Sequence, residues 1–238
     1  MTGGRTVVHL VYAGLQARLE LIARCLPRLQ SESPPRRFFF VDVPLGATSG
    51  LEVVQLHPRS DSAVRSDLSA WLDSCRAHNL ITTASFGGAP MVLNPAFFPN
   101  GRVPPFYLTA MADGSARVAT LLAELGGPAS EQVVVDEIAA LYASLVPRQA
   151  ERRGALELYA TWLERTAAGT VGDGSPHSSP TGPIGHIARA SLIARLAHTQ
   201  AVRLRGPDYP GGLDREAALV RSLLGEDPAT SSPTTMGT

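Results

Sequence analysis

The sequence predicts an α+β fold: a mixed or antiparallel β-sheet with a helical bundle packed against it. Two observations carry this expectation. First, "RTVVHLVYA" (residues 5–13), "RRFFFVDVP" (36–44) and "GLEVVQLHP" (50–58) are short runs rich in β-branched and aromatic residues, bounded by Gly, Pro and Ser, which is the composition of strands. Second, apolar residues between Asp113 and residue 224 recur at helical spacing. At 238 residues the chain can bury a substantial core. One compact domain over residues 1–225 is expected, with a flexible loop at 169–182 and a disordered tail at 226–238.

In chain order, the first strand ends at Gly14 and passes into "LQARLELIARCLPRL", whose apolar residues at 15, 19, 22, 26 and 29 mark a helix. The runs at 36–44 and 50–58 flank a short Pro/Gly/Ser loop and read as neighbours in one sheet. "DSAVRSDLSAWLDSCRAH" (61–78) returns to helical spacing behind an Asp or Ser N-cap. Residues 79–107 hold Gly87, Gly88 and five prolines yet remain aromatic, so they read as a functional loop walling a pocket. Three helices broken by "GGPAS" and Pro147 follow to about Ala168. The small, polar stretch 169–182 offers too little burial to offset its ordering entropy. Helices at 184–204 and 213–224 close the fold.

Lys plus Arg equals Asp plus Glu at 21 each, which removes any field drawing the chain to nucleic acid or an anionic membrane. Every basic residue is arginine. Schiff-base chemistry and a P-loop lysine are therefore excluded. Cys25 and Cys75 lack CxxC spacing and read as reduced, structural thiols rather than zinc ligands or a disulfide framework. No apolar span approaches the roughly 18 residues of a membrane helix, and the N-terminal apolar run is too short for a secretory signal. A cytoplasmic protein is expected. GxSxG, HExxH and a strand-to-helix GxGxxG are all missing, and no cofactor and no metal are expected.

The order of segments, with "HTQAVRLRG" at 198–206, Asp113 and Ser115 opening a helix, and Arg102 in the irregular stretch, resembles the C-terminal domain of lantibiotic dehydratases. That glutamate-elimination domain also occurs alone in thiopeptide biosynthesis. The likeness runs over residues 5–224. The family's His-Met-x-x-Asn-Arg-Leu-x-Gly run keeps His198, Arg203, Leu204 and Gly206 here, with Val202 in place of Asn. The third strand departs: the family's His-x-Arg-x-Arg run, which holds the glutamyl carboxylate, is replaced by a stretch with Glu52, Val54 and Gln55. A site without that cation is ill suited to gripping a departing glutamate.

The resemblance then implies the family's other activity, that of a pyridine synthase. The expected reaction is a formal [4+2] cycloaddition of two dehydroalanines in a modified ribosomal peptide, with loss of water and leader peptide. It needs a pocket that folds a flexible peptide into a reactive pose, and groups that move protons. Glutamate elimination from glutamylated Ser or Thr, and a noncatalytic peptide-binding role, are the alternatives. The implied partners are the modified precursor peptide with its leader and other enzymes of the pathway.

His198 is the expected general acid/base, against the plainer reading of a structural helix histidine. Tyr12, on the opposite phase of the first strand from His9, is a candidate proton donor. Ser191 and Ser115 either bind substrate amides or bond back to the preceding helical turn. Arg203 orients a substrate carbonyl or pairs with Asp208 or Glu216. Arg102 holds a backbone carbonyl or the acidic leader, or is a surface charge, and Gln55 is counted among the substrate-binding residues. "ERR" (151–153) and "RR" (36–37) read as solvated faces, with leader docking as the sharper alternative.

Overall fold

The computed structural model describes residues 4–29, 37–45, 48–57, 61–88, 90, 93, 98, 102–169, 184–207 and 212–225. The expected tail at 226–238 and nearly all of the expected loop at 169–182 lie outside these residues. Two compact units are present: Met1–Ala129 with Val202–Pro207, and Ser130–Ala201 with Asp208–Thr238.

The first unit is built on a four-stranded antiparallel sheet, ordered β2-β3-β1-β4. Strands β1 (Gly4–Tyr12), β2 (Arg37–Leu45) and β3 (Thr48–His57) match the three strand-like runs. In the register Thr6 opposes Gln55, His9 opposes Glu52 and Phe40 opposes Val53. Successive strand residues point to opposite faces. Phe38, Phe39 and Phe40 are nonetheless all fully buried, so both faces of β2 are covered. This double burial is why the run reads as continuously apolar rather than alternating.

The fourth strand, β4 (Ile81–Phe86), pairs with β1 inside the stretch read as irregular. Its "ITTASF" carries only a weak strand signal, β-branched at Ile81, Thr82 and Thr83 but not alternating, and it sits at the sheet edge, where short polar strands are tolerated. The Gly-Gly and prolines just beyond it masked this signal. The helix expected over 15–29 is also not uniform. It runs as α1 (Leu15–Glu20), a π-helical turn (Leu21–Cys25) and a 3₁₀ turn (Leu26–Leu29). Pro27 has no N–H to give and clashes with the turn before it, and the ladder widens there so that Leu26 N–H reaches Leu21 O.

Helix α2 (Asp61–Ala77) follows β3. Helix α3 (Pro105–Leu125) begins earlier than the Asp113 expected, because Pro105 is preset for a first helical turn. It packs on β2 and on the π-helical turn, where Ile22, Phe40, Tyr107, Met111 and Val118 are fully buried.

The second unit is helical: α4 (Glu131–Leu145), α5 (Gln149–Ala167), α6 (Ile184–Arg205) as far as Ala201, and α7 (Gly212–Leu223). Ser130 caps α4 by accepting from Val133 N–H at 3.4 Å. Val134, Ile138 and Tyr142 form the buried stripe of α4 at helical spacing. Arg221 bonds Glu164 at 2.9 and 3.0 Å, tying α7 to α5, and Arg215 pairs with Glu131 of α4. Among the described residues, no helix is long and apolar enough to cross a membrane.

Candidate active site

In the second unit, His198 on α6 is held by Glu216 of α7. Its Nδ1 lies 3.0 Å from Oε2 and 3.2 Å from Oε1 of that carboxylate. Tyr159 of α5 donates its hydroxyl to the same carboxylate. A carboxylate only accepts, so the proton of neutral His198 sits on Nδ1, and Nε2 is left as the basic nitrogen. The imidazole side chain is 31% exposed while Glu216 is 5% exposed. The base therefore reaches solvent, and the group that orients it does not.

An aromatic ladder supports the pair. Tyr142 stacks on Tyr159, Tyr159 stacks on Trp162, and the edge of Trp162 meets the His198 ring at 5.4 Å and 78°. Burial pushes the Tyr159 and Tyr142 phenols well above their ordinary range, and the neighbouring Glu216 charge pushes the same way. Both phenols stay protonated in neutral solution. Tyr142 Oη and Ser191 Oγ are buried with no hydrogen-bond partner among the described residues, a costly state for a hydroxyl. Ser191 lies two helical turns before His198 on the same face of α6, and its hydroxyl is not satisfied by the preceding turn.

The remaining expected site residues lie in the first unit, where most serve the architecture. Arg203 donates from Nε to Phe40 O at 2.6 Å and from Nη1 to Met111 O at 3.4 Å, with its guanidinium over the Phe40 ring at 5.0 Å. Burial lowers its pKa to about 9, and it remains a cation at neutral pH. Its carbonyl accepts from Arg18, whose guanidinium forks onto Asp42 with two 2.6 Å bonds. Ser115 Oγ accepts from Phe40 N–H and donates to Met111 O. Glu216 is the partner of His198, and Asp208 lies outside the described residues.

Gln55 is fully buried, and both its amide atoms lack a hydrogen-bond partner among the described residues. Beside it on the same sheet face, Thr6 and His57 bond each other at 2.9 Å. Tyr12 carries a buried hydroxyl at the end of β1. Arg102 is exposed just before α3. On β3, Glu52 is a fully buried carboxylate bonded to His9 at 2.9 Å.

Glu216, Tyr159 and Trp162 were not singled out as site residues from the sequence. The signal for Glu216 was present: Leu213, Glu216, Ala217 and Val220 share one stripe of α7, which places a carboxylate on an apolar face. Nothing local names its partner.

No family model matches the chain, and no curated protein matches it. Among solved structures, the chain is similar to the tRNA dependent lantibiotic dehydratase MibB from Microbispora sp. 107891, with a TM-score of 0.50 and 15% identity. The match covers 94% of this chain and 26% of that one. The chain thus spans about a quarter of the dehydratase's length, and what the two share is a fold.

Proposed function

We propose that this chain modifies a ribosomally made peptide by cofactor-independent acid–base chemistry, and that the reaction is the pyridine-forming [4+2] cyclisation of two dehydroalanines. The observation that carries the reading is the Glu216-held imidazole of His198, on a fold shared with a segment of a lantibiotic dehydratase. Cyclisation requires an amide to become its imidic acid tautomer, then loss of water and of the leader peptide to reach the aromatic ring. Nε2 of His198 takes the proton that leaves in one step and returns it in another. Glu216 keeps the ring aligned through those steps. Tyr12, Ser191, Gln55, Ser115, Arg102 and Arg203 remain proposed contributors. The buried, unpartnered amide of Gln55 and hydroxyl of Ser191 favour roles in hydrogen bonding to peptide amides.

Glutamate elimination is the second reading. Against it stand the buried Glu52 carboxylate on β3 and the Arg18 guanidinium, which is turned to Asp42 and to backbone carbonyls. The test presents purified protein with a dehydrated, azole-bearing precursor and, separately, with a glutamylated one. Loss of leader mass from the first supports cyclisation, and loss of glutamate from the second supports elimination. Binding of both without turnover points to a noncatalytic partner. With the active substrate, His198→Ala is expected to lower kcat about 10²- to 10⁴-fold; full activity in that variant ends the proton-transfer assignment.

A further inference from the structure

The chain has two cysteines, at positions 25 and 75, and the first unit brings them together. Cys75 lies on α2, where Val64, Leu68, Trp71, Leu72 and Cys75 recur at helical spacing and form the buried stripe. Cys25 closes the π-helical turn, just before Pro27. Trp71, one turn before Cys75 on the same face of α2, donates its indole N–H to Cys25 O at 3.0 Å and holds the two segments side by side. The thiols then meet, and Cys75 donates its S–H to the Cys25 sulfur.

The two sulfurs differ in access and in charge. Cys25 is half-buried, whereas Cys75 is 2% exposed. The hydrogen bond from Cys75 lowers the Cys25 pKa to about 7, with Arg28 and His78 acting in the same direction against burial and Glu20. Cys75, which keeps the shared proton and is buried, is pushed far up. The thiolate is the attacking form of cysteine, and it attacks best when its pKa lies near the ambient pH. The accessible thiol is therefore the one that ionises, and the inaccessible one rests against its sulfur.

Core packing alone does not call for this arrangement. A cysteine packs as a small apolar residue, and half-buried Cys25 fills no core position. What the contact adds is a second sulfur within reach of any adduct formed on the first. The contact also sets an order of events. Besides burial, the Cys75 proton is held by its hydrogen bond to Cys25 and by the Cys25 charge. Both causes vanish once Cys25 is capped, so Cys75 becomes able to ionise only after Cys25 has reacted.

We infer that Cys25 and Cys75 form a reversible dithiol site for low-molecular-weight disulfides, in which Cys25 attacks and Cys75 resolves. The Cys25 thiolate attacks one sulfur of the external disulfide, forms a mixed disulfide with it and releases the first small thiolate. Cys75 then gives its proton to solvent, attacks the Cys25 sulfur and expels the second small thiolate. The chain has lost two protons and two electrons and carries a Cys25–Cys75 bond, while the external disulfide has been reduced to two thiols. That bond ties the π-helical turn to the end of α2. The inference is independent of the chemistry at His198, because no peptide substrate takes part.

The test incubates the reduced chain with oxidised glutathione near neutral pH, quenches with acid, and reads the intact mass and the unreduced tryptic peptides. The expected product is a monomer free of glutathione, with the Cys25 and Cys75 peptides joined and the bond reversed by dithiothreitol. Cys75→Ser is expected to stop at one glutathione, carried on Cys25. Cys25→Ser is expected to react at least about tenfold more slowly, because the remaining thiol is buried and protonated. Should a core serine keep Cys75→Ser from folding, as judged by circular dichroism, Cys75→Ala takes its place. A mixed disulfide that persists in the native chain would overturn the resolving role of Cys75, and a Cys25→Ser chain that reacts as fast as the native one would overturn the attacking role of Cys25. Disulfides formed between chains, or reaction of the urea-unfolded chain alone, would overturn the inference altogether.

Discussion

At the scale of single residues, the molecule distinguishes groups that face solvent from groups that hold others still. His198 has one nitrogen committed and one facing out, and the commitment comes from a carboxylate buried with a tyrosine behind it. Glu216→Gln keeps the shape but offers an amide that can donate as well as accept, which allows the other tautomer. With the active precursor we expect kcat to fall about 10- to 100-fold, by analogy with oriented ligating histidines. A kcat equal to that of the native chain would end the positioning role of Glu216. Cys25 is a second residue-scale case. It is half-buried, and the hydrogen bond from the buried Cys75 thiol lowers its pKa to about 7, with Arg28 and His78 acting in the same direction. Cys75, as donor, is pushed far up. Alkylation of Cys25 by iodoacetamide is therefore expected to rise with pH through a midpoint near 7, and Cys75→Ser should move that midpoint. A midpoint near that of an ordinary free cysteine would contradict the contact.

Between elements, the most demanding contact is the bracket joining α1, β2 and the last turn of α6. The Arg18 and Asp42 side chains are 0% and 1% exposed, and they pair through two short bonds. Removing one partner strands the other charge in the core, so Asp42→Ala is expected to cost about 3–5 kcal/mol, read as a lower urea midpoint at unchanged slope. Gly50 marks another close approach. A Cβ there would overlap Leu10 O and the Leu45 side chain. Gly50→Ala is expected to cost about 1–3 kcal/mol as an overpacked core does; an unchanged midpoint would show that β3 can shift freely at that point. These contacts also explain why β3 and β2 read so cleanly as strands. Their burial on both faces left no polar alternation to confuse with a helix, whereas β4 is half-exposed, short and followed by glycines.

For the molecule as a whole, charge balance governs behaviour in solution. Twenty-one arginines against twenty-one acids leave no net field. We expect solubility to pass through a minimum near neutral pH and to improve on either side, and we expect no salt-dependent retention on duplex DNA. A steep salt dependence of DNA binding would mean that the charges are segregated enough to act as a patch.

The sequence by itself determined the α+β class and nearly every helix and strand, because the periods of 3.6 and 2 are written in successive residues. It also exposed His198 as the residue to watch, and it placed Glu216 on an apolar stripe. It could not join the two. Glu216 reaches His198 because α6 and α7 adopt particular rotations against α5, and each residue turns a helix by about 100°, so a small change in rotation would point either group elsewhere. The same reasoning covers Arg203, whose guanidinium the tertiary structure sets against Phe40. Local chemistry fixed which groups could act. Packing between elements decided which of them meet.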